Sequence, residues 1–155
     1  MIEIREATQQ DAVWFATRLR AADKREAIAA TGKSPIVALM ASVAMGNSFV
    51  AEHDGEPVAV FGLPIINSIP RVGVPWLMGT DTLDDIRLTF GLTSVKIIDD
   101  WMEQTDEMVN YVDSRHHRAV RWLKWLGFDM GEALPHGPYG VPFRKFTWHR
   151  GDAHV

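Results

Sequence analysis

The stretch Met108–Met130, MVNYVDSRHHRAVRWLKWLGFDM, decides how the rest of the chain is read. Met108–Val112 is an apolar run of strand length, Asp113–His117 is a polar turn, and Arg118–Leu126 carries apolar residues at helical spacing. Gly127-Phe128 then stops the helix, because glycine takes the left-handed backbone of a helix end without steric cost. Asp113 and Ser114 are placed to cap that helix. Strand, turn, helix and glycine stop make one unit of a layered fold, and its helix needs a sheet to cover.

The elements upstream supply that sheet. Ile2-Glu3-Ile4-Arg5 alternates, which predicts a strand over 2–6 with Ile2 and Ile4 inward. Thr8 with Asp11 marks a helix start, the helix running from Gln10 to about Leu19. A second helix is expected over Ala22–Ala30 with Gly32 as its stop, and Pro35 opens a third. Ile36–Met45 is apolar almost all round, which predicts a short buried helix. Ser48–His53 and Glu56–Leu63 flank Asp54-Gly55, a two-residue hairpin signal, with Pro57 at a non-ladder position.

Ile65–Arg71 reads as a turn-rich connection and Val72–Met78 as a strand interrupted by Pro75, whose missing N–H marks a bulge or splay. A helix covers Leu83–Gln104, although Gly91 inside it leaves open a loop up to Gly91 and a helix only from Leu92. Downstream, Glu132–Val141 is rich in Gly and Pro and reads as an irregular loop. Phe143–His149 is a last strand with Phe143, Phe146 or Trp148 partly buried, and Arg150–Val155 is a frayed tail. The order of elements predicts an α/β (α+β) fold: one domain over 1–150 and a tail over 151–155. Its mixed, twisted sheet carries helices on both faces and parts near Pro75.

Composition narrows the function. The chain has 155 residues, 46% hydrophobic and 23% charged, the proportions of an ordinary globular domain. Without cysteine there is no disulfide, thiolate metal site or thiol nucleophile. A net charge of −4 argues against general nucleic-acid binding, which draws on a basic excess. No apolar run reaches membrane-spanning length and the N-terminus lacks signal organisation, so a cytoplasmic protein without a membrane anchor is expected. No metal-ligand spacing such as His-x-x-x-His occurs.

The strand, helix and Gly-Phe of the opening stretch resemble the last conserved segment of the GNAT family, the acetyl-CoA-dependent N-acetyltransferases. That segment often reads Asn-x-x-Ala-x-x-x-Tyr-x-x-x-Gly-Phe. Ala119, Gly127 and Phe128 match it, while His116 stands at the Asn and Leu123 at the Tyr, the usual acid for the leaving thiolate. The resemblance implies a cofactor gap beside the strand that carries Pro75, with Leu77, Met78 and Gly79 supplying backbone donors. It also implies a pyrophosphate loop, read here on Arg87, Gly91 and Thr93 and departing from the family's Gln/Arg-x-x-Gly-x-Gly/Ala. Trp76–Asp81, Val112-Asp113 and Arg121–Phe128 further resemble a family of small GNAT-like proteins of T7-like bacteriophages, described as internal virion protein A and as acyltransferases. That likeness implies an infected bacterial cytoplasm, phage or host protein partners and a role in virion assembly.

Two functions from different classes follow. One is an N-acyltransferase joining an acetyl group from acetyl-CoA to an amine, small molecule or protein; the other is a non-catalytic protein acting through contacts. For the enzyme, the resemblance implies a carboxylate base acting through water in the region of Glu52, and His116 is a second candidate base. Tyr111 is one of only two tyrosines and the candidate replacement for the missing acid. Each also has a plain structural reading, Glu52 and His116 as surface or turn residues and Tyr111 as a packed strand residue. Trp122 and Trp125 cannot both turn inward, so one is expected on the surface.

Overall fold

A computed structural model gives the fold and describes residues 1–151. Two sheets share one body. The first holds β1 (Ile2–Glu6), β2 (Ser48–His53), β3 (Glu56–Gly62) and β6 (Trp76–Gly79), all antiparallel, in the order β1-β2-β3-β6. The second holds β4 (Ile65–Ser68), β5 (Arg71–Gly73), β7 (Glu107–Asp113), β8 (Asp129–His136) and β9 (Val141–His149), in the order β4-β5-β7-β9-β8. Only the β5–β7 pair is parallel.

The helices are α1 (Gln9–Ala16), α2 (Ala21–Thr31), α3 (Pro35–Ala44), α4 (Asp81–Asp85), α5 (Arg87–Gln104) and α6 (His117–Trp125). One apolar cluster lies under α5 and α6 and includes Phe61, Phe90, Trp101, Met108, Leu123, Phe128 and Phe146. A second lies under α1 and α3 around Phe15, Leu39, Val50 and Val60. Helices therefore cover both faces, as the order of elements predicts.

Pro75 sits where the two sheets part. Val72 and Gly73 pair with Glu107 and Met108 on β7, whereas Trp76–Gly79 pair with β3. A strand that changes partner must break its ladder, and a residue with no N–H to give breaks it at least cost. Beyond Pro75, β6 and β7 diverge and leave a V-shaped gap.

Local signals hold elsewhere. Thr8 and Asp11 form a full capping box, Gly32 ends α2 at φ +71°, and Pro35 opens α3. Asp54 (φ +52°) and Gly55 (φ +83°) make the tight hairpin, and a register shift at Ala51/Glu52 bulges the returning strand at Val58, next to Pro57, which stands opposite Glu52. Gly127 takes φ +104° behind α6.

Several expectations need correction. Residues 65–71 are not a mere connection, since β4 and β5 form a hairpin there. Glu132–Val141 is mostly strand: β8 is a sheet edge, so Pro135 loses no ladder bond, and only 137–140 turn. Gly91 lies inside α5, so neither a loop up to Gly91 nor a helix starting at Leu92 forms; the break falls at Ile86 instead. Asp113 does not cap α6, which starts at His117 with no side-chain cap. α3 is not buried all round: Ala38, Leu39 and Val43 pack inward, while Val37, Met40 and Met45 stay exposed because one face of the helix meets no neighbour. Ile4 is exposed on the edge strand β1.

Arg150 is docked rather than frayed, its N–H donating to the Asp106 carbonyl at 2.8 Å and its guanidinium to the Thr105 carbonyl at 2.7 Å. Of the rest of the expected tail only Gly151 lies within the described residues. Among those residues no single helix is long and apolar enough to cross a membrane.

Candidate active site in the gap between β6 and β7

Ladder parity fixes which backbone groups face the gap. Thr80 donates its N–H to the Val58 carbonyl, so Trp76, Met78 and Thr80 bond toward β3, and Leu77 and Gly79 point into the gap. Across it, Ser114 donates to the Pro142 carbonyl, which turns Tyr111 and Asp113 toward the gap. Of the three candidate donors on β6, then, Leu77 and Gly79 are well directed and Met78 belongs to the sheet.

Side chains already hold most of these groups. The Asn110 amide spans the narrow end, its Nδ2 donating to the Pro75 carbonyl at 2.8 Å and its Oδ1 accepting from Tyr111 N–H at 2.8 Å. Further out, Gly79 N–H donates to the Asp23 carboxylate at 2.8 Å and Asp113 N–H to the Glu26 carboxylate at 2.7 Å. The Gly79 carbonyl accepts from Arg20 N–H at 2.9 Å. Asp23 and Glu26 lie three apart on α2, one helical turn, and so reach the two strand edges together. Among the described residues, no hydrogen-bond partner meets the gap-facing N–H and C=O of Leu77.

A cavity of about 980 Å³ follows the gap from α2 and α3 on one side to α5 and α6 on the other. Asp23, Glu26 and His116 line its polar part; Leu77, Phe90 and Trp122 line its apolar part. The polar wall continues as an ion chain in which Arg20 bonds Asp23 at 2.8 Å and Asp84 at 2.9 Å, and Arg118 pairs with Asp84 at 3.3 Å. It ties α2 to α4 and α6.

Burial and neighbouring charge set the protonation here. Removal from water raises the Glu26 carboxyl to about 7, with the Asp23 and Asp113 charges adding to the effect. Burial opposes ionisation of Asp113 as well, but hydrogen bonds from Arg115 outweigh it and hold that group below its usual range. Burial opposes the Arg20 charge too, and Asp23 and Asp84 more than restore it. For His116 burial prevails, lowering its pKa, and its Nδ1 is buried without a hydrogen-bond partner. Asp23, Glu26 and His116 bring ligand-capable atoms within 4.8 Å of one another, a grouping no linear spacing announces. One oxygen of each carboxylate is already taken by a strand N–H.

The other sequence candidates fall in separate places. Glu52 sits at the β2 bulge, held by Arg5 at 3.3 Å on the outer part of the first sheet and off the cavity wall. Tyr111 borders the cavity, but its ring stacks on His136 at 4.0 Å and is 40% exposed. His116 is brought to the gap and is not a free turn residue. Asp23 and Glu26 were missed: a charged helix reads as solvated, and only their one-turn spacing hinted at a shared target.

A CoA pyrophosphate in the family's manner does not fit. Leu88–Thr93 is helix, not a glycine loop, and Gly91 lies under the Trp125 ring, 3.9 Å from where a Cβ would stand. Thr93 is the next half-turn of that helix, its hydroxyl turned back to the Thr89 carbonyl at 3.4 Å. Asp81, Asp84 and Asp85 in α4 put three carboxylates just ahead of α5, where an anion would need positive potential. The cations lining the cavity are Arg20, Lys33, Arg87, Arg118 and Arg121, and two of them, Arg20 and Arg118, pair with Asp84. Leu123 is buried in the core at the position of the family's Tyr, while Trp122 turns partly inward to Ser94 and Trp125 is 60% exposed.

No family model matches this chain and no curated protein matches it, so the phage likeness finds no support there. Solved structures do match it. The acetyltransferase of the GNAT family from Streptococcus pneumoniae superposes with TM-score 0.66 at 16% identity, over 97% of this chain and 100% of that one. Spermidine N-acetyltransferase from Vibrio cholerae, solved with CoA and spermine, gives 0.69 at 14%, over 96% and 95%. Polyamine N-acetyltransferase of Drosophila melanogaster gives 0.69 at 14%, over 96% and 100%. The chain has the GNAT acetyltransferase fold.

Proposed function

We propose that the protein is an N-acyltransferase of the GNAT type that accepts an amine, and that its reaction takes place in the gap beside Leu77. The observation that supports this is the pair of parted strands with the Leu77 N–H and C=O turned onto an apolar cavity. An acyl thioester such as acetyl-CoA supplies an activated carbonyl. Leu77 N–H is the group to receive developing negative charge on a carbonyl oxygen, a backbone donor fixed by the sheet that needs no reorganisation.

Glu26 takes the part first considered for Glu52. Its carboxyl lies on the cavity wall and, raised to about 7, both accepts and releases a proton near neutral pH. His116, kept largely neutral by burial, is a second acceptor beside it. Asp23 positions the gap edge through Gly79 N–H. Leu123 has no proton to give, so a leaving thiolate would take its proton from solvent or Glu26. The acceptors printed for the two polyamine enzymes make amines the natural first panel, and the acidic wall suits a cation.

Calorimetric titration with acetyl-CoA and desulfo-CoA, followed by mass spectrometry of spermidine, agmatine and lysine peptides incubated with acetyl-CoA, tests this reading. Micromolar binding, together with an acylated amine, is the expected result. No binding at millimolar ligand leaves the reading without a basis. A second reading, a non-catalytic partner-binding protein that includes the phage virion-assembly role, is favoured by buried Leu123 and by the carboxylates ahead of α5.

A further inference from the structure

We propose that α2 and Asn110 form a built-in occupant of the gap, a gate that an extended, amide-bearing ligand arm must displace to enter. The inference rests on the reading that the gap accepts a thioester cofactor's arm. A strand edge left open by a splay exposes N–H and C=O groups spaced for another extended chain. Here side chains meet them on either side of the unpartnered Leu77: Asn110 acts as a single peptide unit between Pro75 and Tyr111, Asp23 takes the Gly79 donor of β6, and Glu26 takes the Asp113 donor of β7. Arg20 adds a main-chain bond to the Gly79 carbonyl, so the start of α2 is joined to β6.

Gly79 and Asp113 are buried, so their N–H groups must be paired from within the protein, and these contacts pair them. Together they fix α2 across the gap. An arm carrying its own amides competes for the same edges, so Asn110 must change rotamer and Glu26 must release Asp113 N–H, which leaves its carboxylate free beside the arm. The Arg20–Asp84–Arg118 chain is the opposite anchor: it holds the N-terminal end of α2 against α4 and α6, which makes that end the pivot and Glu26, one turn along, the part that moves.

Amide hydrogen exchange and calorimetry with CoA, on the wild type and on Asn110→Ala, Glu26→Ala and Glu26→Gln, test the gate. In the wild type the Gly79 and Asp113 amides are protected although neither N–H bonds to a neighbouring strand. Glu26→Ala exposes Asp113 to exchange, Glu26→Gln keeps it protected through the amide oxygen, and Thr80 and Ser114, bonded within the sheets, stay protected in all three as the check on folding. Removing Asn110 or Glu26 relieves the competition, and CoA affinity rises about tenfold in each alanine variant, the equivalent of one or two net hydrogen bonds. Fast exchange of Gly79 and Asp113 in the wild type overturns the gate. So does CoA binding that is equal or weaker in the alanine variants, which leaves the cofactor reading standing. No CoA binding by any variant, with the protection pattern as expected, overturns the cofactor reading and the gate with it.

Discussion

Glu26 makes the stability of this fold depend on pH in an unusual direction. Its carboxyl is raised from 4.5 to about 7 in the folded protein, first by burial and then by Asp23 and Asp113. Between those two values the folded state holds a proton that the unfolded chain has released, so the folded state binds more protons and stability falls as pH rises. The contribution is fully present below 4.5 and is lost on passing through about 7. Going from about pH 5 to about pH 8 this one group costs roughly 2–3 kcal/mol, since each tenfold difference in proton affinity between the two states is worth about 1.4 kcal/mol. Glu26→Gln removes the titration while its amide oxygen still accepts from Asp113 N–H, so comparing the two proteins isolates the effect. Urea unfolding at both pH values is the assay: wild type loses roughly 2–3 kcal/mol more than the variant on going to the higher pH, at unchanged m-value. Asp11 and Asp113, whose carboxyls are held low, titrate in more acid solution, and His116, held low by burial, adds stability as pH rises and so opposes Glu26; all three are common to both proteins. Parallel pH dependences would show that Glu26 ionises freely, and would remove it from the proposed chemistry as well.

Other substitutions report on separate links. Gly127→Val lowers stability by about 1 kcal/mol or more, since a β-branched residue is forced to φ +104° although nothing crowds its Cβ; an unchanged melting temperature refutes this cap. Thr8→Ala removes the side chain that accepts from Asp11 N–H and costs about 1 kcal/mol by chemical denaturation. Asp23→Ala leaves Arg20 short of its buried partner and Gly79 N–H without an acceptor, and costs about 3 kcal/mol, whereas Asp23→Asn, which keeps the acceptor, costs less.

The fold was readable because its decisive signals are local. Pro75 has no N–H wherever it stands, Asp54-Gly55 bends whatever follows it, and Gly127 stops a helix by its own backbone freedom, so each carries its meaning without knowledge of the neighbours. Burial is a different matter. The apolar α3 looked like core, yet whether a face is covered depends on which elements arrive, and nothing arrives over Met40 and Met45. The opening stretch shows both cases. Its strand, helix and stop were legible, but Asp113, read as a cap, instead bonds Arg115 and gives its N–H to a carboxylate 87 residues away.

The same distinction separates two kinds of functional loss. That a pyrophosphate loop is missing can be read from the residues, because glycines at fixed spacing either occur or do not. That the gap is held by the chain itself cannot be read, because Asp23 and Gly79 lie 56 residues apart and their meeting is a product of the folded state. Gly79 and Asp113 are buried, so their N–H groups need acceptors whether or not a ligand enters, and Asp23 and Glu26 supply them. What separates a gate from a permanent plug is therefore whether CoA binds more tightly once Asn110 or Glu26 is truncated.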